Sequence, residues 1–214
     1  VIASGDSLIR ANDTTGLGDR GIFGNTLTEN GTGTSIRSLD SSRILLDFQD
    51  NMATGSTDLI GAGVEIHADG GRIDISSFTG NTGSGGAGAG AIFQTHSGGI
   101  ITVSNLFIDA FDNNTFTNNA LDGMFVEADS GSILFDQISN SVFDGNGDDG
   151  LDLQTTAGGV LRVTETLVGN TYNNNTDSGI ELTGGIGGLL DVSIGESSMT
   201  DDMGMVIAST SPVT

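Results

Sequence analysis

The stretch that decides the fold is DNNTFTNNALDG at residues 112–123, because a close variant, SNSVFDGNGDDG, follows at residues 139–150. Both stretches end in a glycine that precedes a short alternating run of apolar and polar residues. Glycines in the same context are Gly63, Gly90, Gly123, Gly150, Gly179 and Gly204. Subtracting neighbouring positions gives steps of 27, 33, 27, 29 and 25 residues. A repeat of this length predicts a solenoid of stacked coils.

Each repeat contains two alternating runs and a third short stretch, which predicts three strands per coil. In the repeat after Gly63 the side chains expected to point inward are Val64, Ile66, Ile73 and Ile75, and those expected to point outward are Glu65, His67 and Asp74. The centre of the third strand is expected to hold Phe78, Phe116, Phe143, Tyr172 and Met199, with Leu27 in an earlier coil.

Asparagines recur where the chain must turn towards the next coil. The positions are Asn30, Asn81, Asn119, Asn146 and Asn174. Asparagine tolerates left-handed backbone conformations and bonds to neighbouring amides. With coils stacked about 4.8 Å apart, such side chains can form ladders along the turn.

The charge of the chain is strongly negative: 28 acidic residues face six arginines and no lysine, for a net charge of −22. Nucleic acid is therefore not an expected partner, because its binding requires clustered cations. The absence of cysteine excludes disulfides and Cys-ligated zinc. No apolar run approaches the roughly 20 residues of a membrane-spanning helix.

The repeat resembles the right-handed parallel β-helix of the pectate-lyase-like class, and more closely the Asn- and Gly-rich repeats of bacterial surface proteins or adhesins. The expected fold is all-β: a right-handed parallel β-helix, or β-solenoid, with about seven coils and three strands per coil. Residues 1–214 form a single solenoid domain, in which 1–33 are loosely repetitive and 34–214 are regular coils. The resemblance is specific for the fold but not for a function, since the class includes enzymes and non-catalytic adhesive modules.

Two enzyme-like patterns are present but incomplete. Polygalacturonases of this fold carry Asn-Thr-Asp followed by Asp-Asp, and this chain has NTD at 175–177 and DD at 148–149, in the reverse order. It lacks the Gly-His-Gly and Arg-Ile-Lys phrases of that family. A lyase would need a basic residue to abstract a proton, and the last coils contain only Arg162. We therefore expect no catalytic residue.

We expect either no cofactor or calcium, because Asp and Asn oxygens are the usual ligands of calcium. DGNGDDG at 144–150 approaches a calcium-loop pattern but lacks its turn glycine and terminal glutamate. An ion held between coils is the alternative, since Asp122, Asp149, Asp177 and Asp202 each lie just before a coil-opening glycine. The candidate metal ligands are Asp122, Asp144, Asn146, Asp148, Asp149 and Asp177.

The outward face of the first strand is the candidate ligand surface, since carbohydrate-active members of the class bind substrate there. One column on this face is expected to contain His67, Gln94, Glu127, Gln154 and Thr183, and its neighbour Glu65, Ile92, Phe125, Asp152 and Glu181. Outward Ile92 and Phe125 favour a contact surface over a purely solvated one.

The leading hypothesis is a non-catalytic structural or adhesive module, extracellular or on the cell surface, which self-associates through its coil ends. The chain begins at Val1 without an initiator methionine, so we expect a piece of a longer product. The alternatives are a polysaccharide hydrolase or lyase using Glu127, Asp152 and Glu181, and a module that binds a glycan or a surface protein.

Overall fold

The structure, a computed structural model, describes residues 7–9, 21–28, 31–40, 43–57, 61–200 and 204–209. These residues form short strands and no helix. The strands stack in parallel as a β-solenoid of about six turns, close to the seven predicted, so the predicted fold class is confirmed.

The first sheet collects the first strand of each coil. Its strands, in spatial order, are β1 (Ser7–Ile9), β4 (Thr34–Leu39), β7 (Ala62–Asp69), β10 (Ala89–His96), β14 (Met124–Asp129), β17 (Leu151–Thr156), β20 (Ile180–Gly184) and β23 (Met205–Ser209). Ala91 pairs with Val64 on one side and with Met124 on the other. The predicted steps of 27 and 33 residues are therefore the true strand register.

The other two faces of the coil are built in the same way. The second sheet contains β2 (Gly21–Phe23), β5 (Arg43–Gln49), β8 (Arg72–Thr79), β11 (Ile100–Val103), β12 (Phe111–Asp112), β15 (Ser132–Phe135), β16 (Ile138–Ser139), β18 (Val160–Val168) and β21 (Leu189–Ile194). The third face contains β3 (Thr26–Thr28), β6 (Met52–Thr54), β9 (Thr82–Ser84), β13 (Thr115–Thr117), β19 (Thr171–Tyr172) and β22 (Ser198–Met199). Val142 bridges Thr115 to Thr171 and makes this third column continuous.

The core is a column of apolar side chains enclosed by the three faces. Val64, Ile66, Ile73 and Ile75 are buried in it, as the alternation predicts. Burial of these apolar side chains is the main driving force for folding each coil, because it removes their surface from water.

One third-strand prediction is wrong, although the residue is buried in the core as expected. Phe78 lies at the end of β8 in the second sheet, not at the centre of a third strand. Its ring stacks on Phe48 at 5.2 Å and on Phe111 at 5.1 Å between centroids. The third-strand position of that coil is Gly83, which pairs with Phe116. The remaining third-strand predictions are confirmed for Leu27, Phe116, Phe143, Tyr172 and Met199.

A first asparagine ladder, formed by Asn25, Asn51, Asn81, Asn114 and Asn170, runs along the corner between the second and third faces. Asn81 shows the bonding pattern. Its backbone N and Nδ2 donate to Oδ1 of Asn114 at 3.0 and 3.1 Å, and its Nδ2 also donates to the carbonyl of Phe48 at 2.9 Å. Ser141 replaces asparagine in one coil.

A second ladder, formed by Asn119, Asn146 and Asn175, follows the corner between the third face and the next first strand. Asn146 donates from its backbone N and Nδ2 to Oδ1 of Asn175 at 2.9 and 3.0 Å. The predicted ladder residue was Asn174, which is instead exposed with a left-handed φ of 60°. Asn30 lies outside the described residues.

The coil-opening glycines are required by a close approach between coils. A Cβ on Gly123 would lie 2.5 Å from the carbonyl oxygen of Gly150 and 2.8 Å from Nδ2 of Asn146. Gly150 stands in the same relation to Gly179 and Asn175, at 2.6 and 2.7 Å. No side chain therefore fits at the glycine column beside the second ladder. This close contact keeps the starts of the first strands aligned.

Candidate functional site

The outward face of the first sheet has the two predicted columns. In register along one column are Glu65, Ile92, Phe125, Asp152 and Glu181, and along the other His67, Gln94, Glu127, Gln154 and Thr183. Parallel strands keep equivalent side chains within contact distance, so each column is a row of potential ligand groups.

The apolar members of this face are not freely exposed. Ile92 is 9% exposed and packs with Ala62 and Ala89 in a small second cluster, against which Phe125 is partly buried. This packing explains why Ile92 and Phe125 are apolar, so their apolar character is not by itself evidence for a binding partner.

Most polar members of the face bond to one another. Nε2 of Gln94 donates to Oε2 of Glu127 at 3.0 Å, and Nε2 of Gln154 donates to Oδ2 of Asp152 at 2.5 Å. Oγ1 of Thr183 donates to Oε1 of Glu181 at 3.0 Å.

Glu65 is the carboxylate on this face that has cationic neighbours. Burial acts to raise its pKa, but the hydrogen bond and charge of His67 and the charge of Arg37 lower that pKa overall. Its Oε2 lies 3.5 Å from Nε2 of His67 and 3.9 Å from a guanidinium nitrogen of Arg37. Glu65 and His67 thus lie beside each other on β7.

Acidic side chains converge where the turns of the third face enter β14, β17 and β20. We call this group the acidic corner, and it comprises Asp122, Asp148, Asp149, Asp152 and Glu181. Ligand oxygens of Asp122, Asp148 and Asp149 all lie within 4.8 Å of one another. The backbone sets this spacing, because the amide N of Asp149 donates to Oδ1 of Asp122 at 3.1 Å and the amide N of Ser178 donates to Oδ1 of Asp149 at 2.8 Å.

Asp152 is the most enclosed member of the acidic corner that lies on a strand. The residue is 6% exposed, and within the described structure its Oδ1 has no hydrogen-bond partner. Burial, together with the negative charges of Asp122, Glu181 and Asp149, raises the pKa of Asp152 to about 8, although the hydrogen bond from Gln154 acts to lower it.

The other members of the acidic corner share this electrostatic strain. Burial raises the pKa of Asp122 to about 6, with contributions from the charges of Asp148 and Glu181. Burial also raises the pKa of Asp149, and so do the neighbouring acidic groups Glu181, Asp122 and Asp148.

The described arginines do not neutralise this corner. Arg43 and Arg72 pair with Asp74, and Arg162 lies 3.8 Å from Asp191. Arg37 lies beside Glu65, as described above. Within the described residues, the negative charge of the acidic corner therefore has no cationic side chain paired with it.

The remaining predicted metal ligands are not members of this group, although the charge of Asp177 helps burial to raise the pKa of Asp148. Oδ1 of Asn146 accepts two hydrogen bonds from Asn119 in the second ladder, and Oδ1 of Asp144 accepts one from the backbone N of Asn173 at 2.8 Å. Asp177 follows Asp148 rather than Asp149, since its amide N donates to the carbonyl of Asp148. The predicted column of Asp122, Asp149 and Asp177 is therefore wrong at its third member, which is Ser178, and Asp202 lies outside the described residues.

The residues of the two enzyme-like phrases lie in the turns of the solenoid. Asn175 belongs to the second ladder, where its Oδ1 accepts two hydrogen bonds from Asn146. The pair Asp148 and Asp149 belongs to the acidic corner. These phrases therefore serve the turns of the solenoid.

Sequence reasoning missed an exposed apolar loop. The coil with the 33-residue step contains Leu106, Phe107 and Ile108, which are 94%, 91% and 55% exposed. Asn105 anchors the loop: its amide N donates to Asp136, and its Oδ1 accepts from the amide N of Phe107 at 3.1 Å. The unusual length of this coil and its three consecutive apolar residues were the available signals.

Comparison of the chain with protein-family models, with curated proteins and with solved structures gave no match in any of the three. The fold is thus established by the structure itself. No described helix has the length and apolar character needed to cross a membrane.

Proposed function

We propose that the chain is a non-catalytic structural or adhesive module of an extracellular or cell-surface protein, and that its solenoid is extended end to end by further coils. The Asn- and Gly-rich repeat, the net charge of −22 and the repeat-built core support this assignment. The single observation that carries it is the apolar end of the coil stack at β23.

At this end, core positions are open to solvent. Leu182 on β20 is 6% exposed, but its partner on β23, Ile207, is 67% exposed. Met205 on β23 is likewise 42% exposed, whereas its partner on β20, Ile180, is fully buried. β23 itself pairs with β20 alone among the described strands. A further coil would bury these side chains and pair this strand edge.

Electrostatics favour growth in this direction. Acidic flanks repel one another, so lateral association is opposed, whereas the strand edge at the end offers a full layer of hydrogen bonds. We propose that a coil of the same type, supplied by a second copy of the chain, covers this end.

The test is sedimentation velocity over a range of protein concentrations, with electron microscopy of the same samples. We expect concentration-dependent linear oligomers in the wild type and their loss in Ile207→Asp. Leu106→Asp is the matched control, since it places the same charge on an exposed apolar site away from the end. Monomers at every concentration, or equal behaviour of the two variants, would contradict end-to-end assembly by this chain.

A polysaccharide-acting enzyme is the second candidate, and one observation favours it. Asp152 and Glu181 are register partners on the outward face, and Asp152 has a strongly raised pKa. Glycoside hydrolases use such a pair, with one carboxyl group protonated and the other ionised.

Assays with polygalacturonate, pectin and alginate separate the two candidates. We expect no turnover, because no basic residue is paired with this group among the described residues. Turnover abolished by both Asp152→Asn and Glu181→Gln, with the β-sheet spectrum retained, would establish the enzyme instead. Saturable binding of a glycan without turnover would identify a binding module on the same face.

A further inference from the structure

The acidic corner presents an unresolved electrostatic problem. Its five carboxyl groups come from three successive coils, and the described arginines pair elsewhere. Like charges this close destabilise the fold unless they are neutralised by protons or by a cation. The geometry indicates which of the two the corner is built to hold.

The spacing of the oxygens fits a cation with several oxygen ligands. Oxygens of Asp122, Asp148 and Asp149 lie within 4.8 Å of one another. Two oxygens on opposite sides of a calcium ion lie about 5 Å apart, twice the usual Ca–O distance. Magnesium requires shorter bonds and a nearly ideal octahedron, which three groups fixed by two successive coils do not readily provide.

A second and independent observation is the unpartnered oxygen of Asp152. This carboxylate is buried at the edge of the group, and its Oδ1 has no hydrogen-bond partner in the described structure. Buried carboxylate oxygens are normally hydrogen-bonded or bound to a metal. Asp152 lies on β17 three residues after Asp149 and is the register partner of Glu181, so the free oxygen belongs to the same group.

The backbone orients the carboxylates of the corner. Oδ1 of Asp122 accepts the amide hydrogen of Asp149, and Oδ1 of Asp149 accepts the amide hydrogen of Ser178. These bonds hold carboxylates of successive coils beside each other.

We propose that the acidic corner binds one calcium ion, which ties successive coils together. The carboxylate ligands are Asp122, Asp148 and Asp149, and the unpartnered oxygen of Asp152 bonds to a water ligand of the ion. Glu181 lies beside the ion and carries the remaining negative charge, and water completes the coordination shell. Asn146 and Asp144 take no part, because their side-chain oxygens serve the ladder and the turn.

The test is calorimetric titration of calcium chloride into the metal-free chain at pH 7.5 and near-physiological salt. We expect one saturable site in the wild type. Asp149→Asn and Asp152→Asn should each weaken binding by about tenfold or more. The matched control is Asp129→Asn, which removes the same charge from the first sheet at a residue whose partner is His96, 3.0 Å away.

The outcomes decide the proposal in either direction. The absence of saturable binding, or equal weakening by Asp152→Asn and Asp129→Asn, would overturn it and leave general screening of an acidic surface. If a corner variant does not fold, wild-type melting at matched ionic strength provides the decision. A larger rise in melting temperature with calcium than with magnesium supports the site, and equal rises contradict it.

Discussion

The backbone amide of Asp149 donates a hydrogen bond to the carboxylate of Asp122, 27 residues earlier, at 3.1 Å. This contact places two acidic side chains on consecutive coils within reach of each other, where their charges repel. The solenoid therefore builds an electrostatically costly corner from its own repeat, and that cost should be measurable.

Stability should fall as pH rises when divalent cations are absent. Asp122 and Asp152 have raised folded-state pKa values of about 6 and about 8, so the folded chain binds more protons than the unfolded chain above the usual aspartate range. By linkage, each such group removes up to about 1.4 kcal/mol of stability per pH unit between its unfolded and folded pKa. The loss begins above about pH 4 and ends near pH 8.

Urea denaturation in a chelating buffer from pH 5 to pH 8 measures this effect. Asp152→Asn should flatten the upper part of the curve, because it removes the group with the highest of these pKa values. A wild type whose stability rises with pH over this range would contradict the assigned shifts.

Removing one member of the second ladder should destabilise several coils. Asn146→Ala removes the Oδ1 that accepts from the backbone N and Nδ2 of Asn119, which leaves these buried donors without an acceptor. It also removes the Nδ2 that donates to Asn175 and to the carbonyl of Phe116. We expect a loss of about 2–4 kcal/mol in the free energy of unfolding. Asn174→Gly is the control, because this exposed residue has a left-handed φ that glycine adopts freely, and its stability should change little. Equal effects of the two substitutions would contradict the ladder's role.

Truncation of two phenylalanines four residues apart should have very different effects on stability. Phe111 is fully buried between the ring of Phe78 and the core, whereas Phe107 is 91% exposed. Phe111→Ala should cost about 3–5 kcal/mol through lost burial and a cavity, and Phe107→Ala should stay within about 0.5 kcal/mol. Thermal melting followed by circular dichroism compares them directly. A large loss from Phe107→Ala would mean that its loop packs against the solenoid.

The sequence by itself determined the period, the class of fold and the two columns of the first sheet. These features follow from local rules: alternation sets which side faces inward, and the spacing of glycines sets the register. Each column of the first sheet could therefore be listed correctly before the coils were seen.

Only the tertiary structure decided where the regular alternation of inward and outward side chains is broken. A register shift opposite Leu46 and Asp47 adds one residue to β8, which turns Phe78 into the core of the second sheet. Strict alternation after Ile75 would have pointed Phe78 outward. The error at Asp177 has a different origin, because Ser178 and not Asp177 directly precedes Gly179. The glycine register therefore already places Ser178 after Asp149, in agreement with the hydrogen bond from the amide of Ser178. The register shift and the burial of Asp152 depend on contacts between residues about 30 positions apart, which no local pattern specifies.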